Sequence, residues 1–266
     1  LIPKTIHQVW LGTKPIPEEL IGYAGAWRKH HPEWDLILWT DRPTAHRGPW
    51  TSIQEHPPII NRYAFHWAER WFGARAAWAA RSDILRMELV ARYGGVYADL
   101  DVEPFEAINP LLEGVRLFCA DEWGPCPGNY LFGAAVNHPA VWGAVRDLWK
   151  GIAPVERPKS LLSRAANLIR RRRAEPLPRL EGSIPPERRW LPILQVTGPY
   201  YLNAALARHA EFVCFPWQLF NPLPAYCNHR MVTRWPDHAC GNHHYAGTWY
   251  DRSKIPPPRE FTREGA

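Results

Sequence analysis

Asp99 and Asp101 stand one residue apart in the stretch YGGVYADLDV, residues 93–102. On an extended chain, side chains two apart point the same way, so both carboxylates would face one small volume. Like charges that close raise each other's pKa unless a cation sits between them. Hard oxygen ligands favour Mg2+ or Mn2+ over Zn2+, and such ions keep open positions that a substrate's phosphates can fill. A bound diphosphate would explain the arrangement. An Asp-x-Asp alone is a weak signal, because paired acids at strand ends also cap turns. The glycines before it strengthen the metal reading, since Gly94 and Gly95 let the backbone come close to something.

Asp83 and Arg86 lie three apart in a helical pattern and share a face. On most helices such a pair is a surface ion pair worth about 0.3 kcal/mol. Here the helix runs directly into the Asp-x-Asp strand, which brings the pair to the same cleft. There an Asp can accept from sugar hydroxyls and an Arg can neutralise a developing phosphate charge. His243 and His244 are adjacent, so on an extended segment they point to opposite faces and one of them can enter that cleft. A neutral imidazole is a competent ligand for Mn2+ and adds no negative charge to two acids.

The surrounding chain supplies the scaffold for these groups. Residues 2–12 form an apolar, β-branched run closed by Gly, a buried first strand. Residues 15–32 begin with Pro and Glu and end in basic residues, the polarity of a helix. A second strand spans 33–41. The segment 74–95 is Ala- and Leu-rich and stops at two glycines, which predicts a helix with Ala80, Ile84, Met87 and Ala91 as its core stripe. Strands are expected over 96–102, 115–121, 129–136 and 211–216, helices over 138–152 and from 197 to 210, and a late strand and turn over 238–251. Alternating strands and helices predict an α/β layer fold with its ligand at the carboxyl ends of the strands. Asn129 reads either as a reader of acceptor or sugar or as a turn former, and Thr197 as a helix N-cap.

The chain has 266 residues, 46% of them hydrophobic, with 15 Trp and 28 Pro. That fits one domain, 1–266, with a Pro- and Arg-rich insertion at about 153–192 and a mobile tail from about 254. The net charge of +6 suits an anionic ligand, a nucleic acid or an acidic membrane and selects none of them. Five scattered Cys read as free thiols in a reducing, cytoplasmic compartment. No run of ~18 apolar residues is present, so no transmembrane helix is expected. The run IRRRR, 169–173, admits three readings. It is a solvated face, or the basic side of an amphipathic segment, 160–173, lying on anionic lipid at the inner face of the membrane. Nucleic-acid binding is the weakest of the three, because no aromatic–basic interleaving accompanies it.

Four segments in order, IPKTIHQVWLG, SDILRMELVARYGGVYADLDV, TGPYYL and HHYAGTW, together resemble the glycosyltransferases of sequence family thirty-two. That family includes the yeast-type initiating mannosyltransferase and many bacterial capsule and polysaccharide enzymes. The block 82–102 is also similar to the glucosyltransferase domain of clostridial toxins. The resemblance implies a GT-A fold, a central mostly parallel sheet flanked by helices, binding a nucleotide diphosphate through Mn2+ or Mg2+, with retention of anomeric configuration. It implies that Val9 and Trp10 contact the base, with Trp10 stacking on it, although a Trp at the end of a buried strand is more often an ordinary core residue. Asp83 and Arg86 would hold the donor sugar and its phosphate, and Tyr97 the nucleotide. Asp99 would hold the ribose or a metal-bound water, and Asp101 the metal. Thr248 and Trp249 would close over the diphosphate. His243 occupies the place of the family's recurring His, with His244 the alternative; Gly241 and Asn242 replace the apolar residues usual before it.

The expected function is therefore metal-dependent, retaining transfer of a sugar from a nucleotide-sugar donor, a UDP-sugar before a GDP-sugar, to a glycan or other hydroxyl acceptor in polysaccharide or glycoconjugate synthesis. A Mg2+-dependent phosphohydrolase and a non-catalytic nucleotide-sugar-binding module are the alternative readings of the same acids.

Overall fold

The computed structural model describes residues 1–121, 127–152, 196–206, 212–222 and 235–246. The insertion at 153–192, the segment 160–173, Thr248, Trp249 and the tail from 254 lie outside the described residues. The chain starts with β1 (Thr5–Trp10), α1 (Glu18–His30), β2 (Asp35–Thr40) and β3 (Ser52–Glu55). Two helices follow, α2 (Arg62–Phe72) and α3 (Ala74–Tyr93), then β4 (Gly95–Ala98) and β5 (Val102–Pro104). Next come β6 (Leu117–Asp121), β7 (Pro127–Ala134), α4 (Pro139–Ile152) and α5 (Pro199–Leu206). The last described elements are β8 (Val213–Phe215), α6 (Trp217–Phe220) and β9 (Gly241–His243).

Seven strands make one sheet in the order β3-β2-β1-β4-β7-β6-β8. Strands β3, β2, β1 and β4 run parallel, β7 is antiparallel to β4 and β6, and β8 is parallel to β6. This is a mostly parallel sheet, as expected for the GT-A class. Side chains alternate between its two faces. Val9, Tyr97 and Phe132 pack on one face with Ile84 and Leu85 of α3 and Val141 of α4. Ile6, Leu38, Val96 and Ala98 pack on the other with Leu20, Ala24 and Trp27 of α1. Strands covered on both faces read as hydrophobic runs, as β2 and β4 do, whereas the edge strand β3, SIQE, is polar and part-exposed.

The stripe Ala80, Ile84, Met87 and Ala91 is buried, each at 1% exposure or less. Helix α2 is an addition to the expected elements. The turn that leads into it is held from a distance: the Glu88 carboxylate of α3 accepts from the Ile60 and Asn61 N–H groups at 2.7 and 2.8 Å.

The double glycine is used at the amino end of β4, away from the acids. Gly94 has φ +64° and Gly95 φ +86°. A Cβ on Gly94 would lie 2.7 Å from the Val136 nitrogen, and one on Gly95 2.6 Å from the Thr5 oxygen. The close approach inferred from the sequence is thus to the neighbouring protein backbone, which lets β4 wedge between β1 and β7.

The expected continuous strand over 96–102 is broken. β4 ends at Ala98 and β5 begins at Val102, with a turn closed by the Val102 N–H donating to the Asp99 carbonyl at 3.0 Å. β5 leaves the large sheet and pairs antiparallel with β9, with Val102 opposite His243.

Candidate active site

Asp99 continues the line of β4. Its N–H donates to the Tyr130 carbonyl of β7 at 2.8 Å. The Tyr97 hydroxyl donates to Asp99 Oδ1 at 2.6 Å, so the two side chains share a face. Asp101 is turned by the bend and meets the segment after β9. Ala246 N–H donates to Asp101 Oδ2 at 2.7 Å, His244 N–H donates to the Asp101 carbonyl at 2.8 Å, and His243 Nε2 lies 3.4 Å from Asp101 Oδ1. The two acids therefore converge through a turn and not through strand alternation.

Asp99, Asp101 and His243 each present one ligand atom, and the three atoms lie within 4.8 Å of one another. Two carboxylate oxygens and one imidazole nitrogen make a donor set that fits a divalent cation, with room for further oxygens in the remaining positions. His243 is held flat against the Tyr130 ring, with centroids 4.5 Å apart and planes 8° from parallel. His244 points the other way, its Nε2 2.8 Å from Glu103 Oε2. Of the two histidines, His243 is the one brought to the acids. The chain is not extended past it: Tyr245 has φ +51° and packs its ring against His243 at 4.1 Å.

Behind the acids lies a buried charge cluster. Arg86 of α3, 6% exposed, reaches Asp99 Oδ1 at 3.1 Å and Asp83 Oδ1 at 3.4 Å. It also donates to the Asn129 carbonyl at 2.9 Å and stacks over the Tyr97 ring at 4.6 Å. The Asp83–Arg86 pair is thus interior, unlike an ordinary i,i+3 pair on a solvated helix. Asp83 also accepts from Asn129 Nδ2 at 2.8 Å and Thr197 Oγ1 at 3.1 Å. From the sequence, Asn129 and Thr197 carry other expected roles. Nothing local marks them as partners of Asp83, because they come from β7 and the start of α5.

The electrostatics of the acids are unequal. Burial raises Asp83 to about 6 against the pull of Arg86, and burial likewise raises Asp99 despite the same guanidinium. Burial also acts on Asp101, but the His243 ring and the Ala246 N–H outweigh it and bring the carboxyl down to about 2. Mutual raising of the two acids, expected from their spacing, holds for Asp99 and fails for Asp101, which the segment 243–246 satisfies. Arg86, facing three acids, is held charged.

Val9 is buried on the α3 face. Trp10 is part-exposed at the carboxyl end of β1, packs on the α1 face, and its Nε1 donates to the Lys14 carbonyl at 2.8 Å. Both sit at the end of the strand beside β4, next to the acid cluster and not bonded into it.

Residues 17–117 match the profile of a family described as glycosyltransferase sugar-binding region containing DXD motif. The chain resembles the DXD glycosyltransferases. Among curated proteins it is similar to inositol phosphoceramide mannosyltransferase 3 of Schizosaccharomyces pombe, 31% identical over 153 residues, and to inositol phosphoceramide mannosyltransferase 1 of the same yeast, 28% identical over 156. These matches take in 55% and 56% of this chain but only 37% and 43% of the relatives' own lengths. Among solved structures, PaToxG glycosyltransferase superposes with a TM-score of 0.51 at 19% identity, covering 79% of this chain and 70% of that one. The UDP-bound glycosyltransferase domain from the YGT toxin gives 0.50 at 11% identity, covering 80% and 79%. The likeness to these structures is one of fold. The stretch matched by the family profile takes in α3 and the turn between β4 and β5.

Among the described residues no helix is long and apolar enough to cross a membrane. Cys119, Cys214 and Cys240 form no disulfide among the described residues.

Proposed function

We propose that this chain is a metal-dependent, retaining glycosyltransferase that moves a sugar from a nucleotide-sugar donor to a hydroxyl acceptor. The observation that carries the proposal is the meeting of Asp99, Asp101 and His243 beside the buried Asp83–Arg86 pair, in a chain with a DXD-type sugar-binding region.

Asp101 and His243 would hold the cation, with Asp99 contributing directly or through water or the ribose. A divalent ion there supplies Lewis-acid neutralisation of the leaving diphosphate. Asp83, fixed in orientation by Asn129 and Thr197, accepts hydrogen bonds from donor-sugar hydroxyls. Arg86, fixed by Asp83, Asp99 and the Tyr97 ring, presents a permanent positive charge toward the phosphates. The acceptor oxygen attacks the anomeric carbon on the face that the phosphate leaves. The carbon–phosphate oxygen bond breaks, the new glycosidic bond forms, and the acceptor's proton passes to the departing phosphate oxygen. No carboxylate outside the metal and Arg86 clusters is set up as a covalent nucleophile among the described residues. Val9 and Trp10 are proposed to contact the base, and Thr248 and Trp249 to close over the diphosphate.

UDP is the proposed nucleotide, on the resemblance of 82–102 to the toxin-type block. The names of the yeast relatives carry mannose and inositol phosphoceramide, so mannosyl donors and inositol-bearing lipid acceptors belong in any screen. Binding of anionic lipid through 160–173 at the inner membrane face is proposed from the basic amphipathic pattern alone. A panel of UDP- and GDP-sugars, assayed for nucleotide release with Mn2+ and with chelator, tests the reading. Metal-dependent turnover of one donor, with retained configuration by NMR of the product, is expected. Phosphate release from generic esters, or a mass-trapped glycosyl-enzyme adduct, would overturn it in favour of a phosphohydrolase or a double displacement.

A further inference from the structure

We propose that Tyr23 and Glu103 are positioning residues for His243 and act on it through its neighbour His244; the inference rests on the metal-site reading above. His243 sits on β9, a three-residue strand whose ladder partner is β5. A two-stranded ribbon that small is marginal alone. Its ladder bonds fix where β9 lies along β5, and Tyr130 backs one face of the His243 ring, but both leave the ribbon freedom to twist, and a twist would swing that ring off the acids.

His244 removes that freedom. Its ring lies flat on Tyr23 of α1, with centroids 4.3 Å apart and planes 9° from parallel, while its Nε2 bonds Glu103 Oε2 at 2.8 Å. His244 directly follows β9, and the two rings point opposite ways, His243 to Asp101 and His244 to Glu103, so pinning His244 outward keeps His243 turned toward the acids. The helix that supplies the stack is itself bolted to the ribbon. Trp27, one helical turn after Tyr23, donates from Nε1 to the Val102 carbonyl at 2.8 Å. Residues four apart share a helix face. One face of α1 thus grips both sides of the ribbon, β5 through Trp27 and the end of β9 through Tyr23.

Groups outside the first coordination sphere that orient a ligand typically change metal affinity about 10- to 100-fold. The test is Mn2+ affinity, read from the free-ion electron paramagnetic resonance signal with no nucleotide present, alongside thermal melting. Tyr23→Ala and Glu103→Ala are expected to weaken Mn2+ binding about 10-fold, while Tyr23→Phe, which keeps the stack, and Glu103→Gln, which keeps an acceptor oxygen, stay near the parent. Should Tyr23→Ala fail to fold, Tyr23→Leu keeps apolar bulk without a flat ring and is expected to show the same loss. Parent-like Mn2+ affinity in folded Tyr23→Ala or Tyr23→Leu overturns the inference and leaves the metal site standing. A parent that binds no Mn2+ overturns both.

Discussion

At the amino end of β4, a buried histidine is made neutral and every partner comes from the chain. At the carboxyl end, three acids, buried or half-buried, share one arginine and a histidine. His7 belongs to the first region. Trp39 Nε1 donates to its Nδ1 at 3.0 Å, so its Nε2 carries the proton and donates to the Gly94 carbonyl at 2.9 Å. Burial lowers its pKa to about 4. Arg86, Asp83 and Asp99 belong to the second, with two carboxyls raised by burial against the guanidinium that faces them. The length of β4, Gly95–Ala98, separates the two. The contrast separates polar groups that complete the fold from charged groups gathered at one end of a strand. Polar groups that serve the fold close on one another; those at the strand's far end converge on a shared volume.

The largest effect should come from the acid end. Arg86→Ala leaves Asp83 and Asp99 without their cation, and breaking a buried pair in this way costs about 3–5 kcal/mol. Chemical denaturation without metal should show that loss, and donor turnover should vanish with it. An Arg86→Ala variant as stable as the parent would mean the cluster is solvated.

His7 sets a pH dependence of defined sign. Its folded pKa is depressed, so its stabilisation is complete above 6.5 and is lost as pH falls toward 4. The gap corresponds to about 3 kcal/mol. Denaturation series between pH 7 and 4 should show that slope, and His7→Gln should flatten it. An unchanged slope in the variant assigns it to other groups.

Gly94→Ala probes the same end without charge. At φ +64° with a backbone nitrogen 2.7 Å from the new Cβ, the substitution should destabilise by about 2 kcal/mol. Thermal melting with unchanged Mn2+ affinity per folded molecule would keep the two ends separate; a selective loss of metal binding would link them.

The smallest effects should split the paired acids. Asp101, held at about 2 by its partners, supports the metal-free fold, so Asp101→Asn should lower stability by about 2 kcal/mol. Its folded pKa is depressed, so that support is present above about 4 and is lost as pH falls toward 2. Asp99 is raised by burial but is also the carboxylate nearest the buried Arg86, at 3.1 Å, so Asp99→Asn should destabilise less than Asp101→Asn. A smaller drop in melting temperature for metal-free Asp99→Asn than for Asp101→Asn is the expected result, and a larger drop contradicts the assignment.

The acid end was largely legible in the sequence because α3, the double glycine and the acids are contiguous. Helix periodicity and a glycine stop are local signals, and Ala80, Ile84, Met87 and Ala91 lie on the buried face they predict. The features that escape a sequence reading depend on contacts distant along the chain. The purpose of Gly94 and Gly95 lies in the backbones of β1 and β7, and the end of β4 at Ala98 depends on β5 leaving to pair with β9. Helix α2 is hidden because its aromatic-rich sequence, RYAFHWAERWF, is short and the turn before it is held by Glu88 of α3. Asn129 and Thr197 reach Asp83 from 46 and 114 residues away, a separation no spacing rule spans. His243 stands out only through the resemblance, since alternation makes either of two adjacent histidines eligible.

Everything proposed for the chemistry depends on the turn after β4 and the strand bearing His243 forming a divalent-metal site that carries a nucleotide diphosphate. Calorimetric titration of the parent and of Asp101→Asn with UDP, each with Mn2+ and with chelator, is the sharpest test. UDP binding that requires Mn2+ in the parent and disappears in a folded Asp101→Asn variant is the predicted result. UDP binding of equal strength with chelator, or undiminished in the variant with Mn2+, would contradict it.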